Sequence, residues 1–128
     1  MEGCISMRLK NEIIRDVLLS LEEELGFEQE MNKDEFLSID KIKNHNKDDV
    51  LYTLKKLHEA GLIHVIFTHD YSFVILDISF EGHQFIENIR DPEIWAKTKS
   101  AVNKVGGASL NVIGELAVNY VRQTIGLS

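Results

Sequence analysis

The sequence is poor in residues that form covalent or metal cross-links. It has one cysteine, Cys4, among 128 residues, which excludes an internal disulfide and a cysteine-based zinc site. The five histidines are not spaced as a set of metal ligands. We therefore expect no metal and no cofactor, and a protein of a reducing compartment.

Long apolar runs are also missing. No uninterrupted apolar segment approaches the roughly 20 residues that a membrane-spanning helix needs. The first residues lack the apolar core of a secretion signal. The composition, 44% hydrophobic and 27% charged, is that of a globular domain. Together these features predict a cytoplasmic protein.

Basic residues are outnumbered by acidic ones, 14 to 21, so the formal net charge is −7. From residue 97 onward, four basic residues face one acidic residue, a charge of +3, which leaves −10 for residues 1–96. A protein that binds phosphates normally carries a basic surplus. The acidic part of this chain would instead attract a basic partner.

One helix is clearly marked in residues 47–60. Val50, Leu54 and Leu57 recur at spacings of four and three, which predicts a helix with one buried side. Gly61 follows where the chain must leave the helix, and glycine readily adopts the left-handed conformation found at such ends.

Two strands and another helix are predicted next. The runs 62–67 and 73–78 are rich in Val, Ile, Leu and Phe, which favour strands, and His69–Ser72 would close them into a hairpin. Ser79 can accept hydrogen bonds from the first amides of a following helix. We predict that the inward side of this helix consists of Phe80, Phe85, Ile86 and Ile89.

Upstream, the apolar periodicity of residues 8–25 predicts a long amphipathic helix. Glu22–Glu24 near its end are interpreted as a solvated helix end rather than a carboxylate site. Residues 27–35 are polar and predict a loop. Residues 36–39 are a candidate for a short third strand beside the hairpin.

A short helix should precede the one at 47–60. Asp40 is suited to capping a helix over residues 41–45, and residues 44–46 would form the turn to the next helix. Helix, turn, helix and hairpin in this order describe a winged helix-turn-helix, in which the second helix is the one usually offered to a DNA groove.

Two further helices are predicted at the end of the chain. Pro92, the only proline, suits the first turn of a helix that reaches Val105, and Gly106-Gly107 separates it from a last helix over residues 109–125. The apolar arc of this last helix spans about 200°, which is wider than one-sided packing requires. We predict a homodimer through Leu110, Ile113, Leu116, Ala117, Tyr120 and Val121.

The fold class predicted from these patterns is α+β, mainly α. It consists of a winged helix-turn-helix with a small antiparallel β-hairpin wing and two additional C-terminal helices. We place the winged-helix domain at residues 7–90 and a helical, dimerising extension at residues 91–128.

The residues that we predict to contact double-stranded DNA are Lys43, Lys47, Tyr52, Lys55 and Lys56. Three carboxylates, Asp48, Asp49 and Glu59, share the outer side of the same helix and would repel phosphates. The hairpin tip has Asp70 and no lysine or arginine that could enter a minor groove.

Three segments, Leu54–Ile63, Ile78–Arg90 and Trp95–Lys99, resemble a family of small uncharacterised bacterial and prophage proteins with a domain of unknown function, similar to YjcQ-type winged-helix proteins. The likeness runs from about Met7 to the C-terminus, and Gly82–Arg90 is its most distinctive part. It implies a winged-helix fold and a setting among mobile elements. It brings no activity and no site residues.

The function predicted from the sequence is that of a DNA-binding, transcription-regulatory protein of bacterial or prophage origin. The alternative is a non-catalytic protein-protein interaction module of the same fold that binds no DNA. Binding of the last helix to a membrane surface is the third interpretation. No nucleophile pattern is present, and Gly106-Gly107 lacks the lysine and hydroxyl residue of a phosphate loop, so we expect no enzyme.

Overall fold

A computed structural model of the chain describes residues 8–126. Over this range the chain is mainly helical, with one small antiparallel sheet, as predicted. It divides into two compact units, one up to Gly82 and one from His83 onward. The predicted domain division at residue 90 stays a prediction. None of the described helices combines the length and apolar character needed to cross a bilayer.

The elements, in chain order, are α1 (Asn11–Glu24), β1 (Met31–Asn32), α2 (Lys33–Leu37), α3 (Asp40–Lys43), α4 (Lys47–Glu59), β2 (Ile63–Phe67), β3 (Phe73–Ile78), α5 (Phe80–Ile89), α6 (Pro92–Lys104) and α7 (Leu110–Thr124). The boundary between the two units lies within α5.

The core of the first unit forms around α1, which packs against α3 and α4. Its apolar residues recur at helical spacing, so one side of the helix is buried; the fully buried side chains there include Val17, Leu18 and Leu21. The predicted amphipathic helix is thereby confirmed over Asn11–Glu24.

Helix α4 lies where the apolar spacing predicts it. Asn46 caps it by accepting a hydrogen bond from the Asp49 amide, and Val50, Leu54 and Leu57 are completely buried. Gly61 has a φ of +81°, which a residue with a side chain adopts only at a cost in energy. The predicted end of the helix is thereby confirmed.

The sheet has the strand order β1-β3-β2. Strands β2 and β3 form the predicted hairpin, in which Phe67 lies opposite Phe73. The prediction of a third strand at 36–39 is wrong, because the third strand is Met31–Asn32 and Phe36 is a buried residue of α2.

A capping box explains the error in the third strand. The Asn32 side chain accepts a hydrogen bond from the Glu35 amide, and the Glu35 carboxylate accepts one from the Asn32 amide. These reciprocal bonds satisfy amides that the first turn of a helix leaves open, so α2 begins within the predicted loop 27–35.

The short helix α3 begins one residue earlier than predicted. Asp40 is its first residue rather than its cap, since Ile39 is the N-cap and makes no side-chain bond. The carboxylate of Asp40 then lies near the positive end of the helix dipole. Residues 44–46 form the turn to α4, as predicted.

Ser79 caps helix α5 as predicted, because its hydroxyl accepts a hydrogen bond from the Gly82 amide. Its inward side is only partly as predicted, because Phe80 is 72% exposed whereas Ile86 and Ile89 are buried. At about 100° per residue, Phe80 and Ile89 lie on opposite sides of the helix. Phe85 is half-buried.

In the second unit, α6 packs against α7. Asp91 caps α6 by accepting hydrogen bonds from the amides of Glu93 and Ile94, with Pro92 in the first turn. Trp95 is buried, as an anchor residue should be. Both C-terminal helices are thereby confirmed within one residue of their predicted bounds.

Candidate nucleic-acid interface

The turn between α3 and α4 brings two of the five predicted contact residues together. Lys43 and Lys47 both line a small cavity of about 170 Å³ beside this turn. Lys43 forms an ion pair of 3.0 Å with Asp40. Lys47 is exposed and has no partner among the residues that the structure describes. Its ammonium is therefore available to a ligand.

The turn itself is tied to α1. His45 Nε2 lies 2.7 Å from a carboxylate oxygen of Asp16, and both side chains are partly shielded from solvent. This contact and the buried Ile42 fix the direction in which α4 leaves the turn. The positions of Lys43 and Lys47 thus depend on packing of the first unit rather than on a flexible loop.

The other three predicted residues lie on the outer side of α4. Tyr52, Lys55 and Lys56 are spaced by three and four residues, so they are neighbours on the helix surface. The Lys56 ammonium lies 5.4 Å from the centre of the Tyr52 ring, within the range of a cation-π contact. Lys55 is exposed and has no partner within residues 8–126.

Lys56 is also bonded to Glu59. Its ammonium donates a hydrogen bond of 3.0 Å to the Glu59 carboxylate, and this bond raises the pKa of Lys56 above its ordinary value. Lys56 is therefore protonated throughout the physiological pH range. In the folded chain its charge is shared with Glu59, so it attracts a phosphate less strongly than Lys55 does.

Within residues 8–126, no hydrogen bond, ion pair or ring contact joins Lys43 or Lys47 at the turn to Tyr52, Lys55 or Lys56. Lys47 and Lys56 are nine residues apart on one helix, which is about 14 Å along its axis. The structure thus holds the five predicted residues in two places, Lys43 and Lys47 at the turn between α3 and α4 and the other three farther along α4.

Two of the three opposing carboxylates on α4 have cationic partners. Lys10, at the N-cap of α1, forms a 2.6 Å ion pair with Asp49, and Glu59 is held by Lys56. Asp48 remains exposed without a partner in the described part of the chain. Lys10 therefore offsets the charge of Asp49, whereas the Lys56–Glu59 pair weakens one charge of each sign on this helix.

The hairpin tip has no lysine or arginine of its own, but a lysine from another element reaches it. Lys33, from α2, donates a hydrogen bond of 2.8 Å to the carbonyl of Tyr71, a residue with a φ of +60°. The Thr68 hydroxyl donates to the Asp70 carboxylate and, with a smaller effect from the charge of Lys33, lowers the pKa of Asp70. A cation is thus present at the tip, although the hairpin itself supplies none.

Sequence reasoning missed Lys10 and Lys33 as residues of this surface. Their partners are 39 and 38 positions away, so no local pattern connects them. The signal for Lys33 was the Asn32–Glu35 capping pattern, which places it directly after the strand that pairs with β3. No comparable signal marks Lys10.

Three of the histidines, His45, His58 and His64, form structural contacts. His58 Nδ1 accepts a hydrogen bond from the Val65 amide, and the His58 ring packs against Phe67. His64 is bonded to Asp77 on the neighbouring strand. Within residues 8–126, no group of three or more His, Cys, Asp or Glu side chains is arranged to hold a metal ion.

The predicted dimer residues of α7 fall into two classes. Ile113 and Ala117 are buried in the chain itself, because they face the inside of the second unit where α6 and α7 pack together. They cannot also contact another molecule, so we remove them from the predicted interface. The half-buried residues that remain are Leu110, Leu116, Tyr120 and Val121.

A family of hypothetical proteins, DUF2513, has a sequence model that matches residues 8–109. The chain belongs to the DUF2513 family. The DUF2513 match spans α1 to α6 and ends at Ser109, the N-cap of α7. It confirms the resemblance to a domain of unknown function, although the predicted likeness ran on to the C-terminus.

Similarity to YjcQ-type winged-helix proteins is not part of the DUF2513 match and stays a prediction. No curated protein and no solved structure matches the chain. Membership of the DUF2513 family therefore gives the chain a family but no activity.

Proposed function

We propose that the first unit is a winged helix-turn-helix that binds double-stranded DNA and regulates transcription, with α4 in the major groove and β2–β3 as the wing. The order α3, turn, α4 and antiparallel hairpin supports this reading. The prophage setting implied by the sequence resemblance fits such a regulator, and it remains part of the proposal.

The observation that carries the proposal is the division of α4 into two sides. Val50, Leu54 and Leu57 bury one side completely, while Tyr52 and Lys55 lie on the opposite side. A recognition helix needs this division, because it must be held by the core and still expose side chains to the groove. The lysines would contact phosphates, and the Tyr52 hydroxyl could bond to a phosphate or a base edge.

The first experiment is fluorescence anisotropy of labelled random and promoter duplexes at low and near-physiological salt. We expect binding that weakens steeply as salt rises. In the variant Lys47→Gln/Lys55→Gln, affinity should fall about tenfold or more, because each lysine removed contributes up to about one released counterion. These lysines have no partner in the described chain, so their loss leaves no carboxylate unpaired.

The matched control is Lys97→Gln/Lys104→Gln, which removes the same charge from exposed positions of α6. It should leave affinity within about twofold. Equal losses in the two double variants would mean that DNA responds to net charge alone. The absence of binding even at low salt would overturn the proposal.

The second candidate is a non-catalytic protein-interaction module of the same fold. The observation in its favour is the edge strand β2, where Ile66 is 54% and Phe67 is 45% exposed. An apolar edge strand can pair with an extended segment of another protein. Under this reading DNA fails to bind at any salt concentration, and a basic partner is attracted by the acidic surplus of residues 1–96.

We also propose that the protein acts as a homodimer through α7. A two-fold symmetric dimer would offer two α4 helices to a palindromic site. The half-buried residues Leu116 and Tyr120, with Val112 44% exposed, lie on one side of α7 and form the apolar surface that a second copy would cover. Val121 is nine residues from Val112 and therefore lies on the opposite side of the helix.

A further inference from the structure

A cavity of about 460 Å³ lies in the first unit, lined by residues of α1, α2, α3 and the segment between α2 and α3. Its volume is in the range of small-molecule sites. Among its lining residues are Glu23 and Glu24 of α1, Glu35 of α2, and Asp40 of α3. The end of α1, interpreted from sequence as a solvated helix end, therefore forms one wall of a concave acidic surface.

Ser20 is the residue that distinguishes this cavity from an ordinary acidic surface. It lines the cavity, it is only 1% exposed, and its hydroxyl has no hydrogen-bond partner. No other buried side-chain polar atom within residues 8–126 lacks a partner. A helical serine can satisfy its hydroxyl at the carbonyl four residues earlier, but Ser20 does not. A ligand in the cavity would give this hydroxyl the hydrogen-bond partner that it lacks.

The carboxylates that line the cavity have oxygen lone pairs that can still accept hydrogen bonds from a ligand. Glu23 is bonded to Lys41, Asp40 is paired with Lys43, and Glu35 uses one oxygen in the capping box. Glu24 has no partner in the described part of the chain.

The charges of the cavity favour a positively charged ligand. Four carboxylates and one ammonium, that of Lys41, line it, so the lining carries a net charge of −3. This field attracts cations. A bare metal ion is not favoured, because no three of the described carboxylates or histidines are arranged as its ligands.

We propose that this cavity binds a small organic cation of the aliphatic amine class. An ammonium group has three donors, and here it would donate to the Glu24 carboxylate and to the Ser20 hydroxyl oxygen. The ammonium of Lys41, which is bonded to Glu23, lies in the same cavity lining. It competes with the ligand for the carboxylates. The proposal depends on the cavity alone and holds whether or not the chain binds DNA.

The test is isothermal titration calorimetry of the full chain with putrescine. The matched probe 1,4-butanediol has the same length and replaces both ammonium groups by neutral hydroxyls. We expect saturable 1:1 binding of putrescine and none of the diol. Glu24→Gln should weaken putrescine binding about tenfold, since a charge-assisted hydrogen bond is lost. Ser20→Ala should also weaken it, with little effect on folding because the hydroxyl has no partner.

Two further variants make the test specific. Glu93→Gln removes an exposed carboxylate of α6 that is not among the residues lining the cavity, and it should leave affinity unchanged. Lys41→Met removes the competing ammonium and should tighten binding several-fold. Equal weakening by Glu93→Gln and Glu24→Gln would show a diffuse counterion effect and overturn the proposal. So would the absence of saturable binding, or a Lys41→Met variant that binds no more tightly.

Discussion

The junction between α4 and α5 is held by three small residues. The Ser79 hydroxyl donates a hydrogen bond to the Gly61 carbonyl and accepts one from the Gly82 amide. A Cβ atom added to Gly82 would lie 2.0 Å from the carbonyl oxygen of Leu62. Gly82 is therefore needed for close approach of two backbones, whereas Gly61 is needed for its positive φ.

We expect Gly82→Ala to destabilise the protein by about 1–3 kcal/mol, because backbone atoms must move apart to admit the methyl group. Urea denaturation followed by circular dichroism measures the change. The matched control is Gly114→Ala in α7, where a Cβ atom would lie 3.4 Å from the Phe85 ring. That variant should be about 0.5–1 kcal/mol more stable if Phe85 gives slightly, since alanine is the better helix former. Destabilisation by Gly114→Ala that equals that of Gly82→Ala would contradict the packing argument.

Single residues were predicted well where their role is local. Gly61 and Ser79 were identified from the residues around them, and their roles are confirmed. The Lys10–Asp49 and Lys33–Tyr71 contacts could not be predicted, because each requires the tertiary fold to bring distant positions together. The electrostatics of the candidate interface depends on these two contacts.

At the scale of elements, periodicity decided what could be predicted. Strand β3 has the predicted bounds, Phe73–Ile78, because it is rich in apolar residues and its alternate residues Phe73 and Ile75 are buried. Strand β1 has two residues, which is too short to show a period. The composition of residues 36–39 predicts a strand, but the capping box of Asn32 and Glu35 starts a helix at Lys33 that continues to Leu37. Local hydrogen bonding outweighed hydrophobic composition.

Helix α7 carries two charged residues, Glu115 and Arg122, and both are exposed. They are seven residues apart, so they lie on nearly the same side of the helix. If two copies of α7 pack antiparallel about a two-fold axis, Glu115 of each copy faces Arg122 of the other. Two reciprocal ion pairs would then flank the apolar contact.

This arrangement is tested by exchanging the charges. Glu115→Arg or Arg122→Glu alone should weaken the homodimer about tenfold at low salt, because each places like charges opposite each other twice. The double variant Glu115→Arg/Arg122→Glu should recover the original affinity. Sedimentation equilibrium measures all four proteins. Parallel helices would place identical residues side by side, and the double variant would then give no recovery beyond the singles. A protein that is monomeric at every concentration would contradict the dimer itself.

At the scale of the whole molecule, the net charge of −7 opposes the proposed function. A protein with a negative net charge has no long-range electrostatic attraction to DNA. Its binding must therefore come from a few lysines that contact phosphates directly. Of the four lysines predicted to contact DNA, Lys47 and Lys55 have no carboxylate partner in the described range, whereas Lys43 and Lys56 have one each. Partnered lysines release fewer DNA counterions, since they must first give up their ion pairs.

The salt dependence of binding follows from this count. Each phosphate contact contributes a slope of about −0.9 to a plot of log affinity against log salt concentration, so two to four lysines give about −2 to −4 for each bound chain. Anisotropy titrations at five salt concentrations measure the slope. Lys47→Gln should make it shallower by about 1, whereas Lys43→Gln should change it less, because Lys43 already neutralises Asp40. An equal change in both variants would mean that the Asp40 pair does not persist in solution, and a slope near zero would mean that DNA is not held through its phosphates.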